Sequence, residues 1–166
     1  FIITMLATFS TGVIDGLDGL SAGVLATIFA AYGGIAFFQG QIDLAAFSAV
    51  IIGSLLAFLW FNIPPARFYM GETGILGLTT TLTVVAFLTK SVIVLPIIAF
   101  VPAVEAASVI IQLASKRLRG KKVFLIAPLH HHFEAKGWPA YKVTMRFWVA
   151  SVVFAVIGMV VALIGT

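Results

Sequence analysis

The sequence predicts an all-α fold: a polytopic membrane helix bundle with five full transmembrane helices and one partial N-terminal helix. Of the 166 residues, 61% are hydrophobic and only 10% are charged, against about 25% charged in soluble domains. The uncharged runs reach the ~17–20 residues that a helix needs to cross the hydrocarbon layer. They are continuous rather than alternating with polar residues, which argues against membrane-spanning strands.

This composition excludes several classes of protein. A globule of this size cannot bury so much apolar surface, so a soluble enzyme, a disordered chain and a nucleic-acid-binding module are excluded. The absence of cysteine excludes disulfides, zinc–thiolate sites and cysteine nucleophiles. The chain opens at Phe1 inside an apolar run that lacks the features of a signal peptide. We therefore expect one membrane domain, residues 1–166, that forms part of a longer protein.

The uncharged runs give the helices in chain order. A partial span is followed by five full spans, at residues 1–14, 20–38, 44–61, 73–89, 91–115 and 147–166. The run at 91–115 contains Pro96, Pro102 and the single acid Glu105. Proline removes a backbone donor and clashes with the preceding turn, so this run is predicted to be a broken helix.

The distribution of charge predicts the orientation of the spans. Because successive spans alternate in direction, their connections form two sets. The first set is residues 15–19, 62–72 and 116–146, and the second is residues 39–43 and the turn at Lys90. The first set holds nine of the ten Lys and Arg residues, four of the six acids and all three histidines. The positive-inside rule makes that face cytoplasmic and puts the C-terminus outside, so we expect a site at the cytoplasmic surface.

The first candidate motif is Asp15-Gly-Leu-Asp18-Gly-Leu20. On a helical turn, residues three apart share a face. Carboxylates at a membrane interface suit Mg²⁺, which often bridges to phosphates, and they also suit hydrogen bonds to a nucleoside. The alternative for Asp18 is a helix N-cap, because it directly precedes an apolar helix. The repeated pair favours a ligand site.

The second candidate motif is the connection at residues 62–74. Glu72 follows Gly71 at the start of a helix, and a helix N-terminus attracts anions, whether Glu72 itself or a phosphate. Tyr69 can stack on a flat ring, and Asn62 can hydrogen-bond an amide edge. An ordinary interhelical turn with Glu72 as a capping acid is the alternative.

The third candidate motif is the run of three histidines at 130–132. Neighbouring side chains on a helix point about 100° apart, so the three cannot all bind one metal ion. Contact of one or two of them with a cation or phosphate, or proton transfer near neutral pH, fits better. Trp138 lies where an interfacial anchor is expected.

Two further features of the sequence each have more than one possible role. Residues 116–122 include five bases, which attract anionic lipid or a phosphorylated substrate, or simply set the topology. Glu105 lies inside a span, where a carboxylate is costly unless it is paired or faces water. It is either a protonated, hydrogen-bonded structural group or part of a substrate path.

Together these stretches resemble the phospho-N-acetylmuramoyl-pentapeptide transferases, within the polyprenyl-phosphate hexosamine-1-phosphate transferase superfamily. The aspartate repeat is shared by the superfamily, whereas Pro128-Leu-His-His-His-Phe-Glu134 followed by Lys136-Gly-Trp138 is specific to the muramoyl-pentapeptide branch. Further matching segments are Phe58-Leu-Trp-Phe-Asn62, Pro65-Ala-Arg-Phe-Tyr-Met-Gly-Glu-Thr-Gly74, Leu118-Arg-Gly120 and Arg146-Phe-Trp148. The resemblance covers the whole chain as the C-terminal half of the family.

The resemblance implies an activity and a location. Phospho-MurNAc-pentapeptide would pass from UDP-MurNAc-pentapeptide to undecaprenyl phosphate, with release of UMP and a requirement for Mg²⁺. The enzyme would lie in the bacterial cytoplasmic membrane as a multi-pass protein, in contact with membrane lipid and with its active site facing the cytoplasm. A homodimer stays open, and no nucleic acid is expected as a partner.

The resemblance also implies roles for individual residues. The expected catalytic residues are Asp15, Glu72, His130 and His131, and the expected Mg²⁺ ligands are Glu72 and Asp15. The expected substrate-binding residues are Asp18, Asn62, Tyr69, Gly71 and His132.

The chain departs from the family pattern at several positions. Glu72 stands where the family has a metal-coordinating aspartate, and Tyr69 where it usually has Phe. Gly12, Ile14 and Ile75 stand where the family commonly has Asn, Thr and Ser. The adjacent aspartate pair of the family's N-terminal half does not occur in these 166 residues, so we expect the isolated chain to be inactive.

Three rival functions stay open. One is the same reaction with a UDP-N-acetylhexosamine donor, against which the histidine motif argues. Another is a cation-coupled transporter, which predicts acids spread through the bilayer rather than gathered on one face. A third is a catalytically inactive relative, motivated by Gly12 and Glu72.

Overall fold

The structure, a computed structural model, describes residues 2–165, apart from the side chains of residues 2–4 and 8. Phe1 and Thr166, the outer ends of the first and last predicted spans, lie outside the described residues. The helices are α1 (Ile2–Val13), α2 (Leu20–Phe38), α3 (Ile42–Asn62), α4 (Gly71–Leu88), α5 (Leu95–Ile98), α6 (Phe100–Arg119), α7 (Leu129–Ala135) and α8 (Ala140–Ile164), with a 3₁₀ helix at Val92–Val94 before α5. Residues 2–165 contain no strand.

The predicted helical membrane bundle is confirmed. Four helices, α2, α3, α4 and α8, are long and apolar enough to cross a membrane. A fifth span is formed if the bent pair Val92–Ile98 and Phe100–Arg119 counts as one. The N-terminal α1 has only 12 residues, which agrees with a partial span.

The predicted broken helix is the bent pair, in which the direction of the second helix departs from that of the first by 81°. Pro96 lies in the first turn of α5 and Pro102 in the first turn of α6. A first-turn N–H has no partner within its helix, so proline costs little at these positions. The break therefore falls before Pro102, between two helices that each begin with a proline-compatible turn.

The last helix begins earlier than predicted. Charge at Lys142 and Arg146 suggested a start at 147, but α8 begins at Ala140. Both cations lie over the ring of Trp138, at 5.1 Å for the Lys142 ammonium and 4.3 Å for the Arg146 guanidinium. The aromatic face accommodates these cations beside the first turns of the helix.

α2 is the buried centre of the bundle. Thirteen of the 19 residues of α2 are buried, against three of 21 in α3 and six of 25 in α8. It packs against α3 and α8. Trp148 of α8 packs directly on Gly23, and its Nε1 donates to the carbonyl of Gly19 at 3.1 Å. This contact anchors the turn that precedes α2.

Candidate functional site

The turn between α1 and α2 carries Asp15 and Asp18, which therefore lie outside a helix. Oδ2 of Asp18 accepts a hydrogen bond from the backbone N–H of Ala66 at 3.0 Å. The N-cap of α2 is Gly19, whose φ of 75° favours glycine, and no side chain caps it. The N-cap alternative for Asp18 is therefore wrong, and Asp18 instead ties the turn to the loop after α3.

Asn62, at the end of α3, holds the same two segments together. Its side chain is buried, its Oδ1 accepts from the N–H of Gly19 at 3.1 Å, and its Nδ2 donates to the carbonyl of Phe68 at 2.9 Å. An amide retains one further acceptor and one further donor after these bonds. The substrate-binding role of Asn62 thus stays a prediction, alongside a structural role that the geometry shows directly.

Two of the residues that follow Asn62, Tyr69 and Glu72, have exposed side chains. Tyr69 is 71% exposed, whereas its neighbour Phe68 packs edge-on against Phe58 with ring centroids 5.1 Å apart. Gly71 begins α4 with a φ of 68°. Glu72 is exposed in the first turn of α4, and within the described part of the chain no side chain pairs with it. Both Tyr69 and Glu72 are free to meet a ligand.

The three histidines of α7 have three different partners. Nδ1 of His130 lies 3.2 Å from Oε2 of Glu105, and Nδ1 of His131 lies 2.6 Å from Oε2 of Glu134. Nδ1 of His132 accepts the backbone N–H of Leu125 at 3.1 Å. This divergence agrees with the prediction that they cannot share one metal ion.

His130 is the histidine that meets the aspartate turn. Its side chain is fully buried, and a Cβ added at Gly16 would lie 2.5 Å from its Nε2. The ring therefore occupies the space that any other side chain at position 16 would need. Contacts across the three motifs, Asp18 to Ala66, Asn62 to Gly19 and His130 to Gly16, bring them to one region.

Sequence reasoning missed two residues that build this region, Ser21 and Gln112, and the partner of a third, Glu105. Glu105 is recognisable as a buried acid, but not as the partner of a histidine 25 positions later. Oγ of Ser21 donates to Oδ1 of Asp15 at 2.7 Å. Gln112 donates to the carbonyl of Phe124 at 2.9 Å and accepts from the N–H of Phe124 at 3.0 Å, which fixes the chain entering α7. The signal that could have found it is a glutamine in an otherwise apolar run.

The donor types of the candidate site agree with Mg²⁺. Among the residues described, no three His, Cys, Asp or Glu side chains are grouped as metal ligands. Asp15 and Glu72 are both exposed carboxylates. Mg²⁺ is commonly held by one or two carboxylates together with water and substrate phosphates. These two residues fit that kind of binding.

Comparison with known proteins agrees with the motifs. The profile of glycosyl transferase family 4 matches residues 1–90. The chain is 46% identical over 160 residues to a phospho-N-acetylmuramoyl-pentapeptide-transferase of Anoxybacillus flavithermus, covering 95% of this chain and 49% of that protein. It is 45% identical over 165 residues to the protein of the same name from Levilactobacillus brevis, covering 98% and 51%. With the Bacillus subtilis protein it shares 44% over 145 residues, covering 87% and 45%.

The resemblance seen in the motifs is thereby confirmed. The chain spans about half the length of the curated relatives that it matches.

Proposed function

Because this chain belongs to glycosyl transferase family 4, we propose that it is part of an enzyme that transfers phospho-MurNAc-pentapeptide from UDP to undecaprenyl phosphate and releases UMP. The observation that carries the proposal is the convergence of the aspartate turn, the loop after α3 and α7 on one region. The aspartate motif is shared by the superfamily, and the histidine motif of α7 is the one specific to the muramoyl-pentapeptide branch. The shared name of the relatives supports the same substrates.

The proposed location follows from charge. With nine of ten basic residues on one set of connections, the site would face the cytoplasm of a bacterial cytoplasmic membrane. That position suits the substrates, because the UDP-linked donor is soluble and the polyprenyl phosphate lies in lipid. We also propose that the protein forms a homodimer and that the basic residues at 116–122 contact membrane lipid directly.

In the proposed reaction, an oxygen of the lipid phosphate bonds to the sugar-linked phosphorus. The bond from that phosphorus to the oxygen of UMP breaks, and UMP leaves with the electron pair. Both reactants are anionic, so their repulsion must be offset. Bound Mg²⁺ would supply this charge compensation, with Glu72 and Asp15 as its protein ligands.

The other predicted site residues would each have a separate role toward the substrates. His130 and His131 would contact the phosphates or move a proton there. Tyr69 would stack on the uracil ring, and Gly71 leaves room for the nucleotide to approach the backbone. Asp18 and Asn62 would hold the nucleoside while they fix the loop, and His132 would contact the substrate with its free Nε2.

The test is an assay of UMP release by the full-length protein that contains this chain, with undecaprenyl phosphate and Mg²⁺ present. We expect turnover with UDP-MurNAc-pentapeptide at least about tenfold faster than with UDP-N-acetylhexosamines, an energy difference of ~1.4 kcal/mol. Faster turnover of a UDP-N-acetylhexosamine would reassign the donor. Ion flux into liposomes without dependence on a UDP-sugar would favour a transporter. A folded protein with no turnover would favour an inactive relative.

A further inference from the structure

The buried pair formed by Glu105 and His130 joins α6 to α7. Both side chains are 1% exposed. Oε1 of Glu105 accepts the backbone N–H of His130 at 3.0 Å, and Oε2 lies 3.2 Å from the ring Nδ1. The carboxylate thus holds both the backbone and the ring of one residue. This fixes the position of the imidazole and also its rotation.

The pairing determines which ring nitrogen carries hydrogen. The carboxyl group of Glu105 already accepts the backbone N–H of His130, so it acts as an acceptor toward this residue. An ionised carboxylate can only accept hydrogen bonds, which makes Nδ1–H the donor. Nε2 is then the nitrogen left for other chemistry. Among the described side chains, it is also the one buried polar atom without a hydrogen-bond partner.

Nε2 points at the aspartate turn. It lies against Gly16, next to Asp15, where an added Cβ would be only 2.5 Å away. The neighbouring histidines differ: His131 pairs with Glu134 at the partly exposed surface, and Nδ1 of His132 is an acceptor, so its hydrogen is on Nε2. Of the three, His130 combines burial, a carboxylate at Nδ1 and a free nitrogen at the turn.

We propose that Glu105 is a positioning residue that reserves Nδ1 of His130 for a structural hydrogen bond, so that Nε2 is presented to the aspartate turn as an acceptor for an O–H group of a bound substrate. The positioning stands on the geometry alone. The role toward a substrate rests on the proposed function, in which that O–H belongs to the UDP-linked donor or to a protonated lipid phosphate.

Glu105→Gln tests the proposal with little change in shape. The glutamine Oε1 must still accept the backbone N–H of His130, which turns the NH₂ group toward Nδ1. Nδ1 then becomes an acceptor, and the ring hydrogen moves to Nε2. A variant of this kind in a Ser–His–Asp triad keeps the geometry but imposes the wrong tautomer. Glu134→Gln is the matched control in the exposed pair.

The measurement is ¹⁵N solid-state NMR of ¹⁵N-histidine-labelled full-length protein, purified with a tag that contains no histidine. The signals of His130 are assigned by their loss in His130→Gln. We expect wild-type His130 to be protonated on Nδ1 and Glu105→Gln to move that hydrogen to Nε2. Glu134→Gln should leave the His130 signals unchanged. A wild-type His130 protonated on Nε2 alone would overturn the positioning, even if Glu105→Gln fails to assemble.

Turnover decides the role toward the substrate. We expect kcat of Glu105→Gln to fall by about 100-fold or more, a larger loss than in Glu134→Gln, with Glu105→Asp recovering part of it. A KM that rises for only one substrate identifies which one supplies the O–H. An altered tautomer with unchanged kcat and KM would overturn this role. A wild-type protein without transfer activity would reject the proposed function, while the NMR result would still decide the positioning.

Discussion

The candidate site has a closed side, formed by Gly16, Asn62, Glu105 and His130, and an open side, formed by Tyr69, Gly71 and Glu72. On the closed side, Asn62 and the Glu105–His130 pair are buried and hydrogen-bonded to other parts of the chain. On the open side, Tyr69 is largely exposed and Glu72 has no side-chain partner among the described residues. The side chains of the closed side are thus held in place before a ligand binds. Those of the open side would be held in place by the ligand.

This difference predicts two kinds of mutational effect. A conservative change on the closed side alters geometry or stability, because its side chains are hydrogen-bonded to other parts of the chain or packed against them. A change of the Tyr69 or Glu72 side chain alters ligand binding and leaves the fold intact, because no side chain in the described part of the chain bonds to either. The following substitutions, in the full-length protein, test this division.

Glu72→Gln should have the largest effect. Removing the charge while keeping the shape should lower Mg²⁺-dependent turnover roughly 100- to 1,000-fold, as expected for loss of one group that offsets charge in the transition state. Turnover is measured by UMP release over a range of Mg²⁺ concentrations. The control is Glu72→Asp, which restores the family's residue and should retain most activity. Near-normal rates for Glu72→Gln would limit Glu72 to its favourable position at a helix N-terminus.

Gly16→Ala should have the next largest effect. Its Cβ would come 2.5 Å from Nε2 of His130, so the ring must move, and a displacement of about 1 Å can lower turnover about 100-fold. The control is Gly77→Ala in α4, where an added Cβ meets nothing within 4 Å and turnover should be unchanged. Equal activity of the two variants would contradict the closed geometry around His130.

Asn62→Ala should lower the free energy of unfolding by ~1–3 kcal/mol, because it leaves the N–H of Gly19 and the carbonyl of Phe68 without their partner. Asn62→Asp keeps an acceptor for Gly19 but loses the donor to Phe68, so an intermediate loss is expected. Denaturant unfolding in detergent micelles measures both. An unchanged stability with weaker donor binding would move Asn62 to the open side.

Tyr69→Ala should have the smallest effect. Loss of stacking on uracil should raise the KM for the UDP-linked donor about fivefold, at the low end of the ~1–3 kcal/mol that an aromatic side chain contributes per base. Tyr69→Phe keeps the ring and should stay within about twofold. Unfolding of both variants should match the wild type. A KM unchanged in Tyr69→Ala would exclude stacking at this position.

Much of the fold could be predicted from local patterns, because the membrane imposes a length on each apolar run. The bounds of α2 coincide with the predicted 20–38, and the break near Pro96 and Pro102 was expected from proline chemistry. The start of α8 was missed because its first turns carry Lys142 and Arg146. Their stabilising partner, Trp138, lies outside the helix, so the helix's own composition does not reveal it.

The candidate site was predictable as a set of motifs but not as a set of contacts. The place of Asp18 just before an apolar helix made it an N-cap candidate. In the structure Gly19, with its positive φ, is the N-cap instead, and Asp18 accepts a hydrogen bond from the N–H of Ala66. The Glu105–His130 pair depends on how α6 and the chain leading into α7 pack together. The periodic spacing of apolar residues in the sequence does not predict such a contact between two helices.

The contact of Trp148 with Gly23 and with the carbonyl of Gly19 has a mechanical consequence. Because Trp148 is hydrogen-bonded to the carbonyl of Gly19, a rotation of α8 about its axis would displace the turn that carries Asp15 and Asp18. Oγ1 of Thr144, one turn earlier in α8, also donates to the carbonyl of Asp18 at 3.3 Å, so α8 holds the aspartate turn at two points.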